Sequence, residues 1–413
     1  MSLADRQHRL RPMTGRDPDE PHRAATPLEL LFDLTLVAAF AQAGDQAAHL
    51  VAEGHFASAA TAFGFVVFAV CWAWVNFSWF SSAYDTDDWF FRVMTMVQMV
   101  GVLVIALGAA PVFGSIDRGE PLDNGVLVAG YIVMRVAMLA QWLRAAAQDA
   151  RHRRFALVFA ASIAVAQVGW TGVLFLDLPL GRLLPVLVVL YAIELGGPAL
   201  AARAGQFPPW HADHIAERYG LLVMITLGEV VLGTIAAVAA VIDRGGWTVE
   251  AVLVVVAGTG LTFGVWWTYF VVPTGQILGR HRNRGWVWGY GGIVVFAAVA
   301  AMGAGLHVAA YVAGGEASIG LVQAVLAVAV PVLVTVVAYF AIYSYLVGEI
   351  DPWHGLLVAG AVVALGVAVL LAAAGAGFGL CLLVVMLAPA VIVVGYETVG
   401  HRHMEDVMAR VLR

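Results

Sequence analysis

Along this chain, apolar runs of about 20 residues, a length that spans the bilayer hydrocarbon as a helix, recur between short stretches that carry most of the charge. Backbone amides in hydrocarbon must find their partners within the protein, so only helices or closed barrels cross it. The runs lack the period-two alternation of barrel strands, so they predict helices. Twelve spans are expected, at residues 28–44, 57–81, 90–113, 124–147, 155–176, 180–202, 217–241, 248–272, 286–312, 317–346, 355–374 and 380–397. The first is the shortest and carries Glu29 and Asp33, and only the turn GAGFG separates the last two. The predicted fold is therefore all-α, a polytopic transmembrane bundle of about 12 spans. The expected organisation is a tail at 1–27, a first half at 28–202, a linker at 203–216, a second half at 217–397 and a tail at 398–413. LELLFDLTLVAAFAQ near residue 30 and ERYGLLVMITLGEVVLG near residue 220 both open an apolar helix with acids. CWAWVNFSWF (71–80) and VWWTYF (265–270) follow one span later in each half. Six spans per half would make these two parallel six-helix repeats, an arrangement that places transporter sites at the repeat interface.

Composition supports the membrane reading. Only 12% of residues are charged, against about 25% in soluble domains, and mean hydropathy is +0.87. The two cysteines, Cys71 and Cys381, fall inside apolar runs and read as small buried hydrophobes. The N-terminus is polar and Arg-rich without a cleavable signal pattern, so it is expected to be a mobile cytoplasmic tail. All 22 basic residues are Arg. With the N-terminus inside, 18 of them fall on the cytoplasmic side, three outside (Arg118, Arg182, Arg244) and one, Arg135, within a span. That asymmetry follows the positive-inside rule and predicts a multi-pass protein of the cell membrane with both termini cytoplasmic. YDTDDW (84–89) and GEIDPWH (348–354) run against it as acidic segments on the Arg-rich face.

Candidate chemistry resides in the few charges at depth. Glu229 sits well inside the seventh span, where an ionised side chain costs about 2.5–3.5 kcal/mol. Intramembrane acids face the bundle interior and mark functional sites by default; the plainer reading is a neutral structural acid bonded to a neighbouring helix. Glu29 and Asp33, four residues apart, share one helix face. With Gln42 and Asp45 they predict a polar seam turned toward other helices. Arg135 needs an acid, with Asp33 and Glu29 the first candidates and Glu194 the next. Glu217 and Arg218 stand at the mouth of the seventh span. In HADHIAE, His211, His214 and Glu217 have a spacing compatible with metal ligation on a helix, although Asp213 also reads as an N-cap and no metal site is assigned. Asp85, Asp87 and Asp88 suggest a cation or proton entry loop, against a simpler reading in which Asp88 pairs with Arg92 and Asp85 or Thr86 caps the third span. Aromatic residues of the second, eighth and ninth spans, Trp288 and Tyr290 among them, read as interface anchors or pocket lining. No nucleophile elbow, P-loop, dinucleotide fingerprint or HExxH occurs, and no continuous basic patch suggests nucleic acid. No cofactor is expected. The expected partners are membrane lipids and a small-molecule or ion ligand, and no oligomeric state follows from the sequence.

LELLFDLTLVAAFAQ, WAWVNFSWFSSAYDTDDWFFRVMTMVQM, DHIAERYGLLVMITLGEVV and WGYGGIVVFAAVAAMGAGL together resemble the bacterial low temperature requirement A (LtrA) family, over residues of about 27 to 310. The resemblance implies a multispanning membrane protein and carries the family's acidic and aromatic motif onto Glu29, Phe32, Asp33, Asp85, Asp87, Asp88, Glu217, Arg218, Gly228, Glu229, Trp288 and Tyr290. Where members of the family have His after WGYG and Glu after GAGL, this chain has Gly292 and His307. The family name points to growth at low temperature rather than to a reaction. Three readings stand: proton- or cation-coupled transport of a small molecule through the buried acids, an intramembrane enzyme acting on a lipid or hydrophobic small molecule, and a membrane regulator.

Overall fold

The computed structural model describes residues 10–21 and 23–411, so Arg6, Arg9 and Arg413 of the basic tails lie outside the described residues. Among the described residues, twelve helical segments are long and apolar enough to cross a membrane, as the hydropathy pattern predicts. They are built from α1 (Pro27–Glu53), α2 (Phe56–Tyr84), α3 (Trp89–Leu107), α4 (Ala109–Arg118), α5 (Gly125–Gln148), α6 (Arg153–Val173), α7 (Leu180–Ala204) and α8 (Ala212–Gly245). They continue with α9 (Val249–Phe270), α10 (Thr274–Arg280), α11 (Gly285–Gly314), α12 (Leu321–Val347), α13 (Pro352–Ala373), α14 (Phe378–Gly395) and α15 (His401–Val411). The GAGFG turn does divide the last pair, between Ala373 and Phe378. Among the described residues the only β-type pairing is an isolated bridge between Pro121 and Pro179.

The first span differs from its predicted extent. It runs from Pro27 to Glu53 rather than ending near residue 44, because polar residues need not break a helix whose opposite face stays packed. The predicted polar seam also divides. Glu29 and Asp33 are buried, whereas Gln42 and Asp45 are exposed. At about 100° per residue, Gln42 lies half a turn around the helix from Asp33.

Contacts group the chain into two compact units. Of the described residues, the first comprises those up to Ala43 with Phe65–Ile215, and the second Gly44–Gly64 with those from Ala216 onward. In the first unit α3 packs on α5, α5 on α6 and α6 on α7. The α3–α5 crossing is backbone against backbone: a Cβ on Gly101 would lie 2.7 Å from the Gly130 carbonyl oxygen, so small residues are required there. In the second unit α9 packs on α14, and α11 through α14 pack in sequence. The end of α1 belongs to this unit, where Ala48 joins Val308 and Ala324.

The N-terminal segment is not a mobile tail where it is described. The Arg11 amide donates to Asp88 at 3.0 Å, that of Met13 to Gln148 at 2.7 Å, that of Gly15 to Asp149 at 3.0 Å and that of Arg16 to the Ala83 carbonyl at 3.0 Å. Met13 is fully buried. The segment is a strap whose backbone donors are taken up by acceptors at the ends of α2, α3 and α5. Its polar composition suggested mobility because those acceptors lie far away in sequence.

Candidate functional site

Glu29 has two tasks. Thr26 and Glu29 form a capping box at the start of α1: the Thr26 amide donates to Glu29 Oε2 at 2.7 Å and the Glu29 amide to the Thr26 hydroxyl at 3.3 Å. Pro27 follows at the first helical position, so TPLE is a complete start signal. The other oxygen faces inward. Ser81 donates to Glu29 Oε1 at 2.5 Å, and His214 Nε2 lies 3.1 Å from the same atom. Both Glu29 and His214 are fully buried. A carboxylate and an imidazole at this distance can hold one proton between them and release it to either side.

His211 and His214 are engaged by protein groups rather than by each other's ligand geometry. His211 Nε2 lies 2.9 Å from the Glu20 carbonyl oxygen, and its Nδ1 accepts from the His214 amide at 3.2 Å. Glu217 is exposed while His214 is buried, so the three do not share a site. Among the described residues no group of three or more His, Cys, Asp or Glu could hold a metal ion.

Asp33, one turn beyond Glu29, accepts from Trp74 Nε1 at 2.7 Å. The partner of Arg135 is neither Asp33 nor Glu29. Arg135 hydrogen-bonds Glu194 of α7, whose Oε2 also accepts from Trp72 Nε1 at 2.9 Å. Helix packing decides this: α5 and α7 both pack on α6, which brings an Arg and a Glu that are 59 residues apart together.

The acidic loop 85–88 is counterbalanced by Arg, which explains its position on the Arg-rich face. Asp85 accepts the Asp87 amide at 2.8 Å, and its Oδ2 lies 3.5 Å from Arg23. Burial, and then the nearby Glu29 charge, push the Asp85 carboxyl up to about 6 despite Arg23 and Arg16. Asp87 adopts the left-handed conformation, with φ of 46°, which Asp tolerates better than most residues. Asp87, not Asp88, pairs with Arg92, through bonds of 2.8 and 2.9 Å. Asp88 rather than Asp85 or Thr86 is the N-cap of α3, accepting the Phe91 amide at 2.9 Å, and it also binds Arg144. Burial would raise the Asp88 carboxyl, yet the Arg144 side chain and the Phe91 and Arg11 amides hold it down at about 2.

In the second unit, Glu229 is buried in α8 and its Oε1 makes no hydrogen bond. The backbone around it meets α11 closely: a Cβ on Gly303 would lie 2.5 Å from the Glu229 carbonyl carbon. Arg218 is fully buried one helix face away from the exposed Glu217. Trp288 is buried against Tyr219 with ring centroids 4.2 Å apart, and the Tyr219 hydroxyl donates to the Gly289 carbonyl at 3.1 Å. Tyr290 is half-buried beside Trp286. Gly292 has a packing role, since a Cβ there would lie 2.7 Å from the Tyr219 ring. A side chain at 292 would displace that tyrosine. Sequence reasoning missed Thr26, Ser81 and Arg23, of which only Thr26 had a local signal, and it read Trp74 only as one of the second-span aromatic residues and not as the donor to Asp33.

Among the described residues, twelve helices long and apolar enough to span a membrane, with carboxyls buried among them, define a polytopic α-helical membrane protein. The family model described as bacterial low temperature requirement A protein (LtrA) matches residues 24–389, and the chain belongs to that family. The match continues well past residue 310, where the motif resemblance fades, into α14. No curated protein and no solved structure matches the chain.

Proposed function

We propose that this protein moves a small solute across the membrane in a step coupled to protonation of buried carboxyls, with Glu229 as the principal proton-carrying group and the Glu29–His214 pair as a second. One observation carries this reading: Glu229 is buried within a span and its Oε1 has no hydrogen-bond partner. A structural acid at that depth is expected to be tied to a neighbour; an untied one is available to take up and release a proton as its surroundings change. The Arg asymmetry supports a cell-membrane placement with both termini cytoplasmic.

The test uses proteoliposomes loaded with a pH-sensitive dye and challenged with a panel of organic acids, organic amines and alkali cations. A solute that drives proton movement with the wild type should lose that coupling in Glu229→Gln, down to the level of protein-free liposomes. Wild-type rates in both Glu229→Gln and Glu29→Gln, for every proton-coupled flux found, would refute the mechanism.

A further inference from the structure

A second polar centre lies within the first unit, away from the Glu29 and Asp85 cluster. Its core is the Glu194 carboxylate, which accepts from Arg135, from Trp72 Nε1 at 2.9 Å and from Gln167 Nε2 at 3.3 Å. The Tyr131 hydroxyl accepts from Arg135 at 2.7 Å on the same helix. Three donors, one each from α2, α5 and α6, therefore converge on one carboxylate. A purely structural ion pair in hydrocarbon should leave no donor idle, because each unmet group is costly there. Here two donors, Arg135 Nε and Trp170 Nε1, have no hydrogen-bond partner, nor does the acceptor Gln167 Oε1. Arg135 is 2% exposed and Trp170 5%, so neither is satisfied by bulk solvent.

The helix that supplies the carboxylate is weakened where Glu194 stands. Pro198 lies inside α7 and has no amide to donate to the carbonyl four residues back, which is that of Glu194. Gly196 and Gly197 fill the intervening turn and lower the cost of bending it. Thus the donors sit on three helices without an internal proline, whereas the acceptor sits where its helix lacks a backbone donor. Beside them, Phe65, Trp170 and Tyr191 form a connected aromatic group, with the Trp170 and Tyr191 centroids 5.4 Å apart and Phe65 within 6.4 Å of each.

We infer that the Arg135 centre is a binding site for a small organic carboxylate with a flat apolar body, and that Glu194 is its tethered occupant. A ligand carboxylate takes the Arg135, Trp72 and Gln167 donors as Glu194 withdraws with the turn that Pro198 weakens. Its second oxygen meets the Arg135 and Trp170 donors that Glu194 leaves unused, and its ring joins the aromatic group. Guanidinium and carboxylate are geometrically matched for this exchange. No bond is made or broken. The site belongs to the first unit alone and does not depend on the transport reading.

The test is equilibrium binding of radiolabelled benzoate to full-length protein in nanodiscs, with benzamide as the neutral isostere. Glu194→Gln, which removes the competing charge but keeps the side chain's shape, should tighten benzoate binding by about tenfold or more, with no gain for benzamide. Adding Arg135→Gln to it should abolish the gain. Pro198→Ala keeps the ion pair and restores the backbone donor to the Glu194 carbonyl, so it should bind benzoate more weakly than the wild type. A monodisperse Glu194→Gln protein that binds benzoate no better than benzamide would overturn the inference. So would a Pro198→Ala protein with wild-type affinity, which decides the matter even where Glu194→Gln fails to fold. Because no flux is read, either result is separable from that of the proton-coupling assay.

Discussion

Asp85 and Asp88 are three residues apart in one loop, yet their environments drive their carboxyls in opposite directions. Asp85 is buried beside Glu29, with Arg23 at 3.5 Å as its nearest counter-charge, and is pushed up to about 6. Asp88 meets Arg144 and two backbone amides and is held at about 2. The consequences for stability have opposite signs. A raised carboxyl binds its proton more tightly in the folded state than in the unfolded one, so its contribution is greatest at low pH and is lost as pH rises from about 4 to about 6. Between pH 5 and pH 7.5 the Asp85 term should lower stability by roughly 1 kcal/mol. Thermal unfolding in detergent at those two values should therefore show a steeper decline for wild type than for Asp85→Asn, and equal slopes would contradict the Asp85 environment described. Asp88 behaves otherwise, since its depressed carboxyl stabilises at any pH above about 4 and loses that contribution only as pH falls through 2. Asp88→Asn should accordingly be destabilised by a similar amount at both values.

At the scale of elements, close helix contacts are made where glycines remove side chains. Gly303 of α11 brings that helix against the backbone of Glu229, so the position of the acid is set by a residue that has no side chain of its own. Gly303→Ala would place a methyl group 2.5 Å from the Glu229 carbonyl and force the helices apart, at a cost of about 1–3 kcal/mol for an overpacked contact. A lowered unfolding temperature together with altered proton coupling is expected; an unchanged temperature would mean that α8 and α11 can separate freely. How far the sequence is informative follows the same division. Span number and helical class are legible because hydrocarbon imposes a length and a backbone rule on each segment separately. The capping role of Glu29 does have a local signal, TPLE, although the spacing of the acids by itself reads only as a polar seam. The Arg135–Glu194 pair is not: 59 residues separate the two, and only the packing of α5, α6 and α7 distinguishes Glu194 from Asp33 or Glu29 as the partner. Likewise the strap at residues 10–21 is polar in sequence and ordered in structure, because its acceptors are Asp88, Gln148 and Asp149.

At the scale of the whole molecule, the distribution of Arg makes a claim that helix packing cannot make, namely which face of the membrane each loop meets. Insertion responds to basic residues in short loops, and here 18 of 22 fall on one side of a twelve-span alternation. Acidic loop 85–88 does not weaken the asymmetry, since its carboxyls are taken up by Arg23, Arg92 and Arg144 on that same side. Both native cysteines are buried, so a cysteine introduced at an exposed loop position reports by itself. Glu120, before α5, and Arg151, after it, are both exposed and belong to loops on opposite sides. In intact cells a membrane-impermeant maleimide should label Glu120→Cys and spare Arg151→Cys until the membrane is permeabilised. The reverse pattern would invert the protein, and with it the medium that titrates Asp85: the cluster of Asp85, Arg23 and Glu29 would then respond to pH outside the cell rather than to that of the cytoplasm.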